Sequence, residues 1–223
     1  PTLGVIPPLD FINIAEKTKQ ILAIGDMIFR QALRFLKKME DQGIPGIRVS
    51  INVSVIQLNK RDFTGYFLGL INEFGVSPQR VGIEITESVF SKNYKDINEI
   101  IARLKSEGIQ ISIDDFGVGY SSFARESELD VDCLKIDKFF IDKLTQPNSD
   151  GDVIEDIISI AHRLGHISVA EGVEYAQQLE RLRVYGCDRV QGYFISRPLD
   201  EDGAVSLIGQ EATQGIELEG RDE

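Results

Sequence analysis

The sequence predicts an α/β barrel, and three observations predict it. Strand-like and helix-like segments alternate along the chain with no composition break, the signature of parallel strands joined by crossover helices. Polar or charged residues stand near the C-terminal ends of six strands, where a (β/α)8 barrel keeps its active site. A length of 223 residues is large for one ordinary domain and normal for such a barrel. About seven strands can be counted, and the chain opens on a loop and a helix. The expectation is a TIM-type (β/α)8 barrel whose first strand lies upstream of residue 1. An open doubly wound sheet is the alternative.

Residues 1–9 form a proline-rich opening without periodicity, and Asp10 reads as a helix cap. Phe11 to Glu40 read as helical, in two pieces broken near Gly25. Ile21, Ile24, Ile28, Ala32, Phe35 and Met39 recur at helical spacing as core. Gly43-Ile44-Pro45-Gly46 breaks the helix, and Arg48 to Ser54 is the first clear strand. A helix from Asp62 to Phe74 stops at Gly75, and a strand runs from Arg80 to Glu87. A helix from Tyr94 to Lys105 precedes the central strand, which begins at Ile109. A less regular segment, Phe123 to Asp130, leads to a strand over Val131 to Asp137. Gly151 to Leu164 is helical, with Val153, Ile157, Ile160, Ala161 and Leu164 on one face. A strand from Ile167 to Val173, a helix from Ala176 to Tyr185, and strand signals at Cys187–Gln191 and Gly192–Ile195 complete the alternation. The residues after Leu199 are acidic and read as a mobile tail or linker. The expected division is therefore a barrel over 1–204 and a tail over 205–223.

Composition narrows the function classes. Hydrophobic residues make up 42% and charged residues 27%, which suits a globular domain with a sizeable core. No apolar run approaches the roughly 18 residues needed to span a membrane, and no signal peptide is visible. The domain is expected to be cytoplasmic and to make no membrane contact itself, although a parent protein can be anchored. The first residue is Pro1 rather than Met, so a piece of something longer is expected. The net charge of −12 argues against a nucleic-acid polymer as partner. A small anionic ligand stays open, because bound cations invert the local field. Cys133 and Cys187 have no metal-ligand spacing and read as reduced core thiols. His162 and His166 read as surface or packing residues.

The chain is organised around Ile109-Gln110-Ile111-Ser112-Ile113-Asp114-Asp115-Phe116-Gly117-Val118-Gly119-Tyr120-Ser121-Ser122. Alternating isoleucines give a strand with one buried face, and the strand delivers two adjacent carboxylates to a glycine-rich loop. Neighbouring strand residues point to opposite faces. Both carboxylates meet one site only where the strand ends and the backbone turns, which the glycines after Asp115 allow. Taken alone, the stretch reads equally well as a solvated acidic turn.

The other strand ends tip the balance. They carry Asn52, Glu84, Lys135 with Asp137, Glu171 with Glu174, and Gln191. So many like charges converging would repel strongly in a low-dielectric pocket, and divalent cations resolve the repulsion. Oxygen ligands without Cys or His point to magnesium, manganese or calcium rather than structural zinc. Lys135 also reads as an ion-pair partner for Asp114 or Glu171, and Glu84 as a core-edge ion pair. Asn52, in Asn-x-Ser, also reads as a turn or cap residue.

IPPLDFINIAE, SINVSVIQ, GIEITES, ISIDDFGVGYSS, VDCLKIDKFF, VAEGVE and GCDRVQGYFISRPL together resemble the EAL-domain phosphodiesterases of bacteria, in order and with matching spacing from Pro1 to Leu199. The resemblance implies a TIM barrel that hydrolyses cyclic di-GMP to linear pGpG with two magnesium or manganese ions per site. Asn52, Glu84 and Asp114 match ligands of the first metal. Asp114 bridges, and Asp115 and Glu171 serve the second. Lys135 matches the residue that holds the attacking water, and Glu171 the general base. Glu87 matches the anchor of the DDFG loop. Glu174 and Tyr193 are implied contacts to a guanine, and Gln191 a contact to site water or ligand. The resemblance also implies a homodimer, fused to sensory or diguanylate-cyclase-like domains as the output of a signalling protein.

Three departures qualify it. The Glu-Ala-Leu motif that names the family is not in this chain; its glutamate, and the arginine after it, are expected upstream of Pro1. Val118 stands where a threonine is usual, in a loop that couples dimerisation to activity in the family. Glu126 and Asp130 stand where a Leu and a Pro are common. The alternative function is a catalytically inactive cyclic di-GMP receptor. Such receptors have usually lost metal ligands, whereas Asn52, Glu84, Asp114, Asp115, Lys135 and Glu171 are all present here.

Overall fold

The computed structural model describes residues 6–87, 94–117, 130–145 and 151–214. They form two compact units, Pro1–Ile111 and Ser112–Glu223. The first unit opens with α1 (Pro8–Lys17) and α2 (Ile21–Asp41). Then come β1 (Val49–Asn52), α3 (Val55–Leu58), α4 (Phe63–Phe74), β2 (Val81–Thr86) and α5 (Tyr94–Ser106). The boundary falls inside β3 (Gln110–Phe116). The second unit continues with β4 (Cys133–Ile136), α6 (Lys138–Ile141), α7 (Gly151–Arg163), β5 (Ile167–Glu171), α8 (Ala176–Val184), β6 (Arg189–Gln191) and α9 (Glu201–Gln214). In the first unit β1 pairs in parallel with β2. In the second, β3 pairs with β4, β4 with β5 and β5 with β6, all in parallel. Within each unit a strand lies beside its sequence neighbour with no reversal of order, whereas a doubly wound sheet reverses at its switch point.

In the first unit α1 starts at Pro8, so Asp10 lies in its first turn and does not cap it. The helix pair breaks at Thr18–Gln20, where Lys19 takes φ +59°, and not at Gly25. Gly25 lies inside α2 because a Cβ there would collide with Gln57 Nε2. That close approach also selects the helix face. Gly25, Phe29, Leu33, Leu36 and Met39 are buried, with Ile21 ahead of them. Ile28, expected in the core, is 44% exposed. α2 carries apolar residues on two adjacent faces, and periodicity alone chose the neighbouring one. Phe29 meets Phe67 edge-on at 5.0 Å between ring centres, and Phe63 stacks on Phe67 at 5.7 Å. Arg80 ties the start of β2 to α2, reaching Glu40 at 3.2 Å and the Leu36 carbonyl at 3.1 Å. Ser54 and Gln57 close a reciprocal cap on α3, so the capping residue of Asn52-Val53-Ser54 is the serine, not Asn52.

In the second unit β4 is buried at every position. α7 turns Ile154, Ile157, Ile158 and Ala161 inward and leaves Val153 42% exposed. The expected strand over Gly192–Ile195 is a turn instead, and β6 has only three residues. The chain stays helical over Glu201–Gln214, where the composition suggested a mobile tail. Val118 and Glu126, with the irregular stretch 123–129, lie outside the described residues. Cys133 is buried, whereas Cys187 is only partly buried, in the turn before β6.

One clasp fixes the start of β5 against β6 and α7. Asp188 Oδ2 accepts from the Ser168 backbone N–H at 2.8 Å, from Ser168 Oγ at 2.7 Å, and lies 2.8 Å from His162 Nε2. Partial burial works to raise the Asp188 pKa, but the hydrogen bonds from Ser168 and His162 outweigh it and hold the group below its ordinary value of 3.8. A depressed carboxylate pKa stabilises the fold above the unfolded value, and that stability is lost as pH falls through the folded value. Asp188→Ala is expected to lower stability at neutral pH by about 1–3 kcal/mol, since it strands the buried Ser168 donors. Urea denaturation should show that deficit shrinking as pH drops below 3.8.

Candidate active site

The site in the second unit is built where β3, β4 and β5 end. Two adjacent carboxylates reach it through a bulge. Ile113 pairs with Leu134 and Phe116 with Ile136, so three steps on β3 answer two on β4. The extra residue lies in the Asp114–Asp115 pair, and Asp115 takes φ +56°. A bulged residue leaves the alternation of the pleat, and aspartate tolerates the left-handed region better than most residues. The re-aiming thus happens at the carboxylates themselves, ahead of the glycines expected to provide it. The Asp115 N–H donates to Asp114 Oδ1 at 3.1 Å.

Lys135 is buried and comes from the middle of β4. Its Nζ lies 3.1 Å from Asp114 Oδ1 and 2.6 Å from Glu171 Oε1. The alternatives left open for this lysine, Asp114 or Glu171, are both realised. Carboxylate oxygens of Asp114, Asp115 and Glu171 all lie within 4.8 Å of one another. Burial of its carboxyl is the largest influence raising the Asp115 pKa; the charges of Asp114 and Asp137 and a hydrogen bond with Asp137 raise it further, and Lys135 opposes them. Asp137 also caps α6 by accepting from the Phe139 N–H at 2.7 Å. The donor set is all oxygen and carries excess negative charge, which fits a hard divalent cation.

The other expected site residues fall into separate groups. In the first unit Asn52 pairs in register with Glu84 across β1 and β2, so that unit brings these two together. Glu87 follows β2 and is 8% exposed; the loop it was expected to anchor lies outside the described residues beyond Gly117. In the second unit Gln191 pairs with Glu171 at the end of β6. Tyr193 is 51% exposed, with the Arg197 guanidinium 5.0 Å from its ring centre. The turn that carries it is stitched to the loop after β5: Val173 N–H donates to the Gln191 carbonyl and Phe194 N–H to the Val173 carbonyl. Glu174 lies 2.9 Å from Lys138 Nζ. Sequence reasoning missed Lys138. Its signal was its place directly after Asp137, at the first turn of a helix that begins where a site strand ends.

A parallel α/β domain that gathers carboxylates and a buried lysine at the C-terminal ends of its strands is a TIM-barrel-type domain with an acidic, cation-compatible site. The chain belongs to the EAL domain family, whose model matches residues 1–198. It is 36% identical over 202 residues to the cyclic di-GMP phosphodiesterase RocR of Pseudomonas aeruginosa, covering 90% of this chain and 51% of that protein. It is 36% identical over 209 residues to the signaling protein YkoW of Bacillus subtilis, covering 93% of this chain and 26% of that protein. The chain thus spans about a quarter to a half of the length of these relatives. The structure of the PaMucR phosphodiesterase in complex with c-di-GMP superposes with a TM-score of 0.85 at 32% identity, covering 91% of this chain and 82% of that one. The resemblance carried by the sequence motifs and the barrel-type fold both stand. Among the described residues, no helix is long and apolar enough to cross a membrane.

With Lys135 removed, Asp114 and Glu171 would face each other without a cation. Lys135→Met is expected to destabilise metal-free protein by about 3 kcal/mol, the cost of breaking a buried pair. Denaturation with a chelator present, and again with magnesium, should show the ion recovering part of the loss.

Proposed function

We propose that this domain hydrolyses cyclic di-GMP to linear pGpG. The observation that carries the reading is the cluster of Asp114, Asp115 and Glu171 around buried Lys135, on a domain whose relatives include named cyclic di-GMP phosphodiesterases. Asp114, Asp115 and Glu171 would hold divalent cations, magnesium or manganese; the family resemblance implies two ions per site and gives Asn52 and Glu84, paired on the first unit, a ligand role as well. Such ions supply Lewis-acid activation of water and neutralise phosphate charge.

The chain's own residues do the rest. Glu171 accepts the proton of the attacking water. The water oxygen forms a bond to phosphorus, the bond from phosphorus to the ribose 3′-oxygen breaks, and that oxygen leaves with the electron pair and takes a proton from solvent water to become the 3′-hydroxyl. Lys135 fixes the Glu171 carboxylate from one side and keeps Asp114 from repelling it. Glu174 accepts from guanine's N1 and N2 donors, Tyr193 stacks on the base, and Gln191 hydrogen-bonds ligand or site water. Charge neutralisation and positioning suffice, so no nucleophilic Ser or Cys is needed. The domain acts as the output of a longer signalling protein and pairs as a homodimer.

Chromatography of the full-length protein with cyclic di-GMP and manganese tests the reading. Linear dinucleotide should form, vanish with a chelator, and fall at least about 100-fold in Glu171→Ala, the loss expected for a general base. Tight binding without turnover would make the protein a receptor instead.

A further inference from the structure

Lys138 lies outside the acidic cluster but reaches across to the loop after β5. Its Nζ is 2.9 Å from Glu174 Oε1 and 2.8 Å from Asp142 Oδ1. Its stem lies along Gly172, where an added Cβ would stand 2.5 Å from Lys138 Cγ. The ammonium is therefore held by Asp142, at the C-cap of α6, as well as by Glu174, while the glycine surface backs the stem.

The backbone of Glu174 is fixed by a different residue. Gln178 Oε1 accepts from the Glu174 N–H at 2.8 Å and from the Tyr175 N–H at 3.0 Å. Gln178 is fully buried and donates through Nε2 to the Ile141 carbonyl at 3.1 Å. With the backbone pinned, the freedom left to Glu174 is rotation of its side chain. Lys138 holds the tip. The side chains of Lys138 and Glu174 are 44% and 30% exposed, so the pair adds little to stability. What it supplies is direction and charge balance.

Resting on the reading of the site as a cyclic di-GMP phosphodiesterase, we propose that Lys138 is a positioning residue that aims the Glu174 carboxylate at the guanine base, setting affinity and base selectivity rather than the rate of hydrolysis. Each carboxylate oxygen has two acceptor positions. Oε1 can therefore stay on Lys138 while the carboxylate accepts from guanine N1–H and N2–H. Adenine offers no such pair of donors on that edge. A freely rotating Glu174 loses the aim, and the discrimination with it.

The test measures KM, kcat and the preference for cyclic di-GMP over cyclic di-AMP in the full-length protein with manganese. Lys138→Met should raise KM for cyclic di-GMP about tenfold, the equivalent of one charge-assisted hydrogen bond. It should leave kcat within about twofold, narrow the preference, and leave thermal unfolding nearly unmoved. Lys138→Arg should restore most of the affinity. In a Glu174→Gln background, Lys138→Met should have no further effect on KM, because the carboxylate it positions is gone. An active wild type with an indifferent Lys138→Met, or a fall in kcat at constant KM, overturns the proposal alone. A wild type that neither binds nor hydrolyses the nucleotide overturns the reading of the site, and this inference with it.

Discussion

The second unit depends on one ammonium group. Two strands, β3 and β5, deliver three carboxylates to the same place, and in a medium less polar than water their mutual repulsion would push the strand ends apart. Lys135 prevents this from inside the sheet. It sits on β4, between the strands that carry Asp114 and Glu171, and neutralises one unit of charge at 3.1 Å and 2.6 Å. One lysine does not balance three acids. The surplus shows in Asp115, which is pushed toward its protonated form by burial and by its acidic neighbours. A site in this state holds its shape and is short of positive charge, which is the condition a divalent ion relieves.

Geometry sets the second constraint. An unbroken strand would send Asp114 and Asp115 to opposite faces. The bulge between Ile113 and Phe116 breaks the alternation at the point of need, and the left-handed backbone of Asp115 is its local cost. Positive φ at a residue other than glycine costs of order 1–3 kcal/mol and persists where the surroundings over-determine it. The surroundings here include the Asp115 N–H bond to Asp114 and the contact between the Asp115 and Asp137 carboxyls.

Most of the parallel α/β plan was legible because alternation of strand and helix patterns is a local signal. The strand ends carrying Asn52, Glu84, Asp114, Lys135 and Glu171 were read for the same reason: a polar or charged residue at the end of an aliphatic run is conspicuous. Less legible was whatever depends on a partner distant in sequence. The buried face of α2 is chosen by Gln57 packing on Gly25, which periodicity within the helix cannot reveal. The Asp188 clasp joins residues 20 and 26 positions apart, and an Asp in a turn looks like any other. α9 was missed because two glycines and an acidic composition disguise a helix. Lys138 was missed because its one sequence signal, the place directly after Asp137, names no partner until Glu174 is seen beside it.

That last case shows how the short α6 helix links the two acidic arms. Asp137 follows β4, caps α6 and meets Asp115 on the β3 side. Lys138, the next residue, reaches Glu174 on the β5 side. Consecutive residues at a helix start diverge in direction, so one turn can touch both arms without spanning the space between them. Because α6 follows β4 without a loop, its first turn inherits the strand's position, and the strand is buried throughout. The rigid core therefore fixes Asp137 and Lys138 together. Any shift of α6 would move Asp137, against Asp115, and Lys138, against Glu174, at once.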